Sequence, residues 1–289
     1  MASPARRHYD HAMATGTASG QGRSTPLGNV LRAWRSARSV SQLDLAHRSG
    51  LSARHLSFIE TGRTQPSRQA LLTIGEALEM PLRERNRLLA AGGYAPAYRQ
   101  TALDGEELRH VRGLLQFVLD RHEPYGAVVI DRYWNVIMNN GAASRSLPAF
   151  SDPSLWTSQP VNLLRLVFHP AGLRRFIVNW KEVSGHLMLR AHRELGGPGE
   201  DEQGAALLTE LHQYPDVPER PVVAPPSALA EFVLPIHLRK DGVDIRTFST
   251  IMTLGTPQDI TLQELRIETF FPADDASDQI LRSFRSPES

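Results

Sequence analysis

The sequence predicts two domains of different class: an all-α domain of five short helices over residues 26–92, then an α+β domain over 105–289 built on one antiparallel sheet. Three observations predict this. Helix-capping residues recur at short intervals through the first region. Period-2 apolar runs and hairpin dipeptides alternate with longer helical periods in the second. The charge divides at the same place: residues 1–100 hold 14 Arg against 6 acidic groups, net +8, whereas 101–289 are net −7. A basic module joined to an acidic one is the charge pattern of a nucleic-acid-contacting unit attached to a unit of another kind.

The 289 residues are 41% hydrophobic, enough to bury a core in each domain. Cys is absent, which excludes disulfides and thiolate metal sites. No apolar run approaches the roughly 18 residues that span a bilayer, and MASPARRHYD lacks the apolar stretch of a signal peptide. The expected location is the cytoplasm, with no membrane partner.

Residues 1–25 are small and polar without an apolar period, and read as a flexible arm. The first helix, about 27–38, places Leu31 and Trp34 inward. Ser41 caps the second, with Asp44 answering three residues later, and Gly50 ends it. Ser52 caps a third helix that stops near Gly62, Ser67 caps a fourth through Leu78, and Pro81 opens a fifth. Residues 93–104 combine Gly and Pro without periodicity and read as a linker.

In the second domain Asp104 is placed to cap a helix carrying Leu108, Val111, Leu115 and Val118 inward. Residues 125–140 read as two strands around a turn, with Asn140 capping the next helix. Residues 161–195 are helical, with Phe176, Trp180, Val183, Leu187 and Ala191 on one face. A surface loop at 196–203 precedes a short helix over Ala205–His212. Phe232, Leu234, Ile236 and Leu238 alternate ahead of the hairpin signal Asp241-Gly242. Residues 262–273 form a third strand of this run, with Glu264 and Glu268 sharing its solvent face, and a last helix holds Ile280, Leu281 and Phe284. All helices are expected on one side of the sheet.

Spacing within 41–67 meets the steric demands of two helices crossing steeply through a tight turn. Ala46 supplies the small residue at the crossing, Gly50 the turn residue that tolerates positive φ, and Leu45, Leu51, Leu56 and Ile59 the apolar seam. Gln42, at a helix N-terminus, is placed to bond a phosphate. The stretch SQLDLAHRSGLSARHLSFIETGRTQPS resembles the XRE-type, lambda-repressor-like helix-turn-helix family, with Gln42, Ala46, Gly50, Ser52, Ile59, Glu60, Gly62 and Pro66 at the family spacing. The resemblance implies a double-stranded DNA operator. It puts Ala53, Arg54, His55 and Phe58 toward the bases and Gln42, Ser52, Thr61 and Arg63 at phosphate-contacting positions. Phe58 stands where several relatives carry a polar reader. The resemblance also pairs Arg35 with Glu60, which makes Glu60 structural.

The second domain, through HEPYGAVVIDRYWNVIMNNGAA, VNLLRLVFHPAGLRRFIVNW and FSTIMTLGTPQDITLQELRIETFFPAD, resembles the ligand-binding domain of MmyB-like transcription regulators. That resemblance implies a PAS-like sheet cupping a small-molecule cavity, a bound fatty acid as ligand, and no other cofactor. An apolar pocket needs a long apolar lining and one polar end. Candidate lining residues are Val128, Ile130, Met138, Leu164, Val167, Phe168, Phe176, Trp180, Val183, Leu187, Phe232, Leu234 and Met252. His169, Arg174, Arg175 and Asn179 cluster at a turn, and Arg175 or Asn179 is the candidate anchor for a carboxylate.

No nucleophile elbow, phosphate loop or HExxH occurs, and His186 and His192 are six apart, too far round a helix to chelate one ion. The expectation is no catalytic and no metal site. Two alternatives remain for the second domain: dimerisation alone, or haem held by His169, His186 or His192. The sequence as a whole is expected to be a homodimeric transcription regulator reading an inverted repeat, its second domain sensing a small apolar ligand.

Overall fold

The computed structural model describes residues 25–156, 159–198, 201–218, 233 and 235–284. The arm at 1–25 falls, apart from Thr25, outside the described residues, as do Phe232 and Leu234.

Five helices form the first unit: α1 (Pro26–Ala37), α2 (Gln42–Ser49), α3 (Ala53–Glu60), α4 (Arg68–Ala77) and α5 (Leu82–Ala91). The starts follow from short side chains that accept a backbone N–H three residues on: Thr25, Ser41, Ser52 and Ser67 each cap the following helix this way. Gly50 stands at φ +67° between α2 and α3, a conformation an L side chain resists. Leu31, Leu45, Leu56, Ile59, Leu71, Ile74, Leu88 and Leu89 close the core of this unit.

Residues 93–104 are fixed by side chains on both sides. Asn86 accepts from the Ala97 and Tyr98 N–H groups at 2.8 and 3.0 Å, and Thr101 bonds Asp259 through its N–H and hydroxyl.

The second unit opens with α6 (Arg109–Arg121). Asp104 does not cap it: a 3-10 turn over Glu106–Leu108 intervenes, and no side chain caps either element. Then follow β1 (Ala127–Ile130), β2 (Val136–Asn139), α7 (Gly141–Ala149), α8 (Leu163–Phe168), α9 (Trp180–Leu195) and α10 (Glu202–Gln213). The predicted 161–195 helix is broken, because Asn179 interrupts it: its side chain bonds the Pro235 carbonyl and the His237 N–H, and Phe176 lies in a separate 3-10 turn. The next helix begins three residues before Ala205, since Asp201 caps it.

The chain closes with β3 (Ile236–Lys240), β4 (Val243–Met252), α11 (Ile260–Glu264), β5 (Arg266–Pro272) and α12 (Asp275–Ser283). The sheet order is β2-β1-β5-β4-β3, every neighbour antiparallel. Asp241 and Gly242 both take positive φ in the β3–β4 hairpin, as a two-residue primed turn requires.

Helices cover both faces of this sheet rather than one. α6 packs Leu115 and Leu119 on Ala127, Val129 and Ile267, while Val128 and Ile130 point into the larger core with α8 and α9. Every residue of β1 is buried, the pattern of a strand covered on both sides. The 262–273 strand is also corrected: Asp259 caps a helical turn through Glu264, and the strand starts at Arg266. Glu264 and Glu268 therefore share no solvent face.

A DNA-reading helix and an apolar cavity

In the first unit the buried side of α3 is Leu56, Ile59 and Glu60, and Arg54 and His55 are exposed on the other side. Glu60 is 5% exposed at its side chain and fully engaged. Arg35 Nε donates to it at 3.0 Å and Gln42 Nε2 at 2.9 Å, while Arg32 bonds its backbone carbonyl at 2.9 Å. The structure thus brings Arg35 and Glu60 together and adds Gln42 to the pair, so the Gln42 amide points inward rather than standing free. Gly28 lies so close that an added Cβ would fall 2.1 Å from the Glu60 carbonyl oxygen, which fixes the approach of α1 to α3.

Thr61 spends its hydroxyl on the Ser57 carbonyl at 2.7 Å, and Ser52 spends its own on the His55 N–H. Phe58 is half-buried. The guanidinium groups of Arg54 and Arg63 lie over its ring at 5.3 and 5.8 Å. A ring between two cations orders both without neutralising either. The pairing of Arg54 and Arg63 through Phe58 was not readable from spacing, because nine residues and a helix end separate them.

In the second unit a cavity of about 90 Å³ opens on the α8 side of the sheet. Of the predicted lining residues that are described, Val167 and Leu187 line it. Val128, Ile130, Leu164, Phe168 and Val183 belong to the core behind it, and Phe176 and Trp180 pack at its margin. Met138 lies on the opposite sheet face with α6, and Met252 is exposed at a strand end. The reason is period 2: Met138 pairs with Val129, one residue away from the inward positions.

Sequence reasoning missed Trp134, Leu163, Leu173, Ile245, Phe270 and Glu268, all of which line the cavity. For Glu268 a signal existed: it lies two residues from Phe270 in a strand, which places both on one face. The predicted anchors lie elsewhere. Arg175 is exposed and stacks on Phe176, Arg174 pairs with Asp216, and the Asn179 amide is consumed by backbone groups. His169, His186 and His192 do not line the cavity, so the haem alternative finds no axial ligand among them.

Trp134 is held by an Asx turn in which Asp131 accepts from the Tyr133 and Asn135 N–H groups at 2.8 and 2.9 Å. It takes φ +65°, a strained conformation for a bulky residue, of order 1–3 kcal/mol. Arg190 stacks on its ring at 4.1 Å, and Nη1 of Arg190 reaches Glu268 at 3.2 Å.

The two units meet along a polar seam. Arg83 of α5 grips Glu264 with two bonds of 2.7 and 2.8 Å, and the Leu82 N–H donates to Gln263 at 2.7 Å. Hydrogen bonding to Glu264 raises the Arg83 pKa above its ordinary value. Arg132 joins Glu264 to Asp201. These side chains border a charged cleft of about 810 Å³ between the units. It is larger than the apolar cavity, and its walls mix ion pairs with apolar groups such as Trp34, Met80 and Leu195.

A helix-turn-helix head with a basic outer helix, joined to a second domain with an apolar cavity, defines a DNA-binding regulator of the ligand-responsive class. A family model described as a helix-turn-helix domain matches residues 26–88, and one described as the MmyB-like transcription regulator ligand binding domain matches residues 111–284. The chain belongs to the family of MmyB-like transcription regulators. No curated protein matches it. A solved structure of an RNA-binding Light-Oxygen-Voltage receptor aligns at 10% identity and TM-score 0.27, covering 90% of this chain and 62% of that one, a likeness too low to carry an argument. Among the described residues no helix is long and apolar enough to cross a membrane.

Proposed function

We propose that this regulator reads a specific operator by laying α3 in the major groove, and that its second domain admits a small apolar ligand. The observation that carries the first half is the Arg54–Phe58–Arg63 stack on the exposed side of α3. Arg54 donates to a guanine edge, His55 and Ala53 lie beside neighbouring bases, and Phe58 aligns the two cations. Arg63 and the exposed end of Ser52 meet phosphates, whereas Gln42 and Thr61 act mainly by shaping the helix ends. Arg54→Ala is expected to relax base preference at one position by about 1–3 kcal/mol, read by selection from random duplexes followed by competition binding. Unchanged preference would sink the assignment.

The cavity supports a compact ligand better than a long acyl chain, since ligand pockets commonly span about 300–1,000 Å³ and this one is about 90 Å³. A homodimer on an inverted repeat fits the exposed apolar residues of α6, Leu114 at 65% and Phe117 at 57% exposure. Replacing both with Glu is expected to give monomers in sedimentation velocity, with the fold retained by circular dichroism.

A further inference from the structure

The polar side chains in the walls of the apolar cavity are Ser146, Thr247, Glu268 and the indole of Trp134. Ser146 donates its hydroxyl to the Ala142 carbonyl at 2.8 Å. Among the described residues Glu268, with 5% of its side chain exposed, is approached only by Arg190 Nη1, at 3.2 and 3.4 Å. A carboxylate has about four acceptor positions, so this arrangement leaves capacity unfilled. Trp134 is 1% exposed, and its indole N–H has no hydrogen-bond partner among the described residues. An unmade bond at a buried donor is costly, and a ligand that makes it is favoured by that margin.

We propose that the cavity selects a neutral, hydroxyl-bearing apolar molecule, a short alcohol or phenol, over a carboxylic acid or an amine. This rests on reading the cavity as the ligand site. Arg190 is shared between Glu268 at 3.2 Å and Glu194 at 2.9 Å, and Arg266 lies 3.7 Å from Glu194, so these four charges balance and a head group of either sign adds an uncompensated charge to a low-dielectric space. A carboxylate meets Glu268 as a like charge and offers it no proton. An ammonium is placed near the Arg190 guanidinium and cannot accept from Trp134. A hydroxyl both donates and accepts, so it alone of the three serves the open acceptor capacity of Glu268 and the N–H of Trp134 while staying neutral. The carboxylate in the wall thus argues against the fatty acid that the family resemblance implies.

The test is calorimetric titration of the full chain with 1-octanol, octanoate and octylammonium at pH 7.5. The alcohol is expected to bind at least about tenfold more tightly than either ion, about 1.4 kcal/mol. Glu268→Gln removes the carboxylate from the cavity wall and leaves Arg190 paired with Glu194 alone, so octanoate should then match or overtake the alcohol. Trp134→Phe keeps an aromatic ring and removes the N–H, and should weaken the alcohol about threefold to tenfold while leaving octylammonium, which cannot accept from it, unchanged. Thermal unfolding of both variants separates loss of fold from loss of selectivity. Octanoate binding as tightly as the alcohol to the unaltered chain, or alcohol affinity and selectivity unmoved by both substitutions, overturns the hydroxyl preference and leaves the cavity as a ligand site. Binding by none of the three overturns both.

Discussion

Glu60 shows how a charge on a groove-facing helix serves packing instead of contact. An acidic side chain beside phosphates would repel them. Here it turns inward, where Arg35 and Gln42 satisfy it and Arg32 ties the same residue's carbonyl to α1. Removing one member of such a buried pair strands the other. Glu60→Ala is therefore expected to cost about 3 kcal/mol of stability, measured by urea unfolding, the lower end of the range because Arg35 is 20% exposed. The Ser52 cap was legible in the residues, because capping residues stand at a fixed offset from a helix start, and the Arg35–Glu60 pair was legible through the family resemblance. The inward bond of Gln42 and the stacking on Phe58 were not. Both depend on side-chain rotamers, which spacing does not specify.

At the scale of elements, the pairing of α9 with α10 contains a titratable contact. His192 and His212 approach at 3.0 Å between their Nε2 atoms, which requires at least one ring to be neutral. Burial, and then repulsion from His212, lowers the His192 pKa below its ordinary 6.5. The folded state thus binds fewer protons than the unfolded one. Stability from this group is full above about pH 6.5 and is lost as the pH falls through the depressed folded value. The melting temperature should drop between pH 7.5 and 5.5, and His192→Gln should drop less over the same interval. The same elements mark the limit of sequence reading. Helices with strong caps were found, whereas residues 262–264 were read as strand because no turn signal separates them from the alternation that starts at Leu265 and Ile267. The covering of both sheet faces was missed although AVVI, apolar at every position, announces it.

At the scale of the molecule, the seam between the domains is polar and specific. Glu264 is gripped twice by Arg83 and is also approached by Arg132. Hydrogen bonds to a charged group are worth about 1.5–3 kcal/mol each where they are well made. Glu264→Ala is expected to loosen the docking of the two domains, seen as a larger radius of gyration in small-angle scattering, while each domain keeps its own fold. An unchanged scattering profile would show that the remaining seam contacts suffice. No sequence signal connected residues 83 and 264, since ion pairs across 181 positions follow only from the completed fold.

Glu264 and Glu268 stand one turn and one strand start apart, the first in the seam and the second in the cavity wall. For anyone transplanting this sensor onto a different DNA-reading head, that proximity matters. A join made anywhere in 93–104 would carry the cavity across intact and leave Arg83 behind. The chimera would still hold its ligand, yet Glu264 would keep only Arg132, inside its own domain, and lose its grip across the seam. The portable unit is the second domain together with α5, and the junction belongs ahead of Leu82.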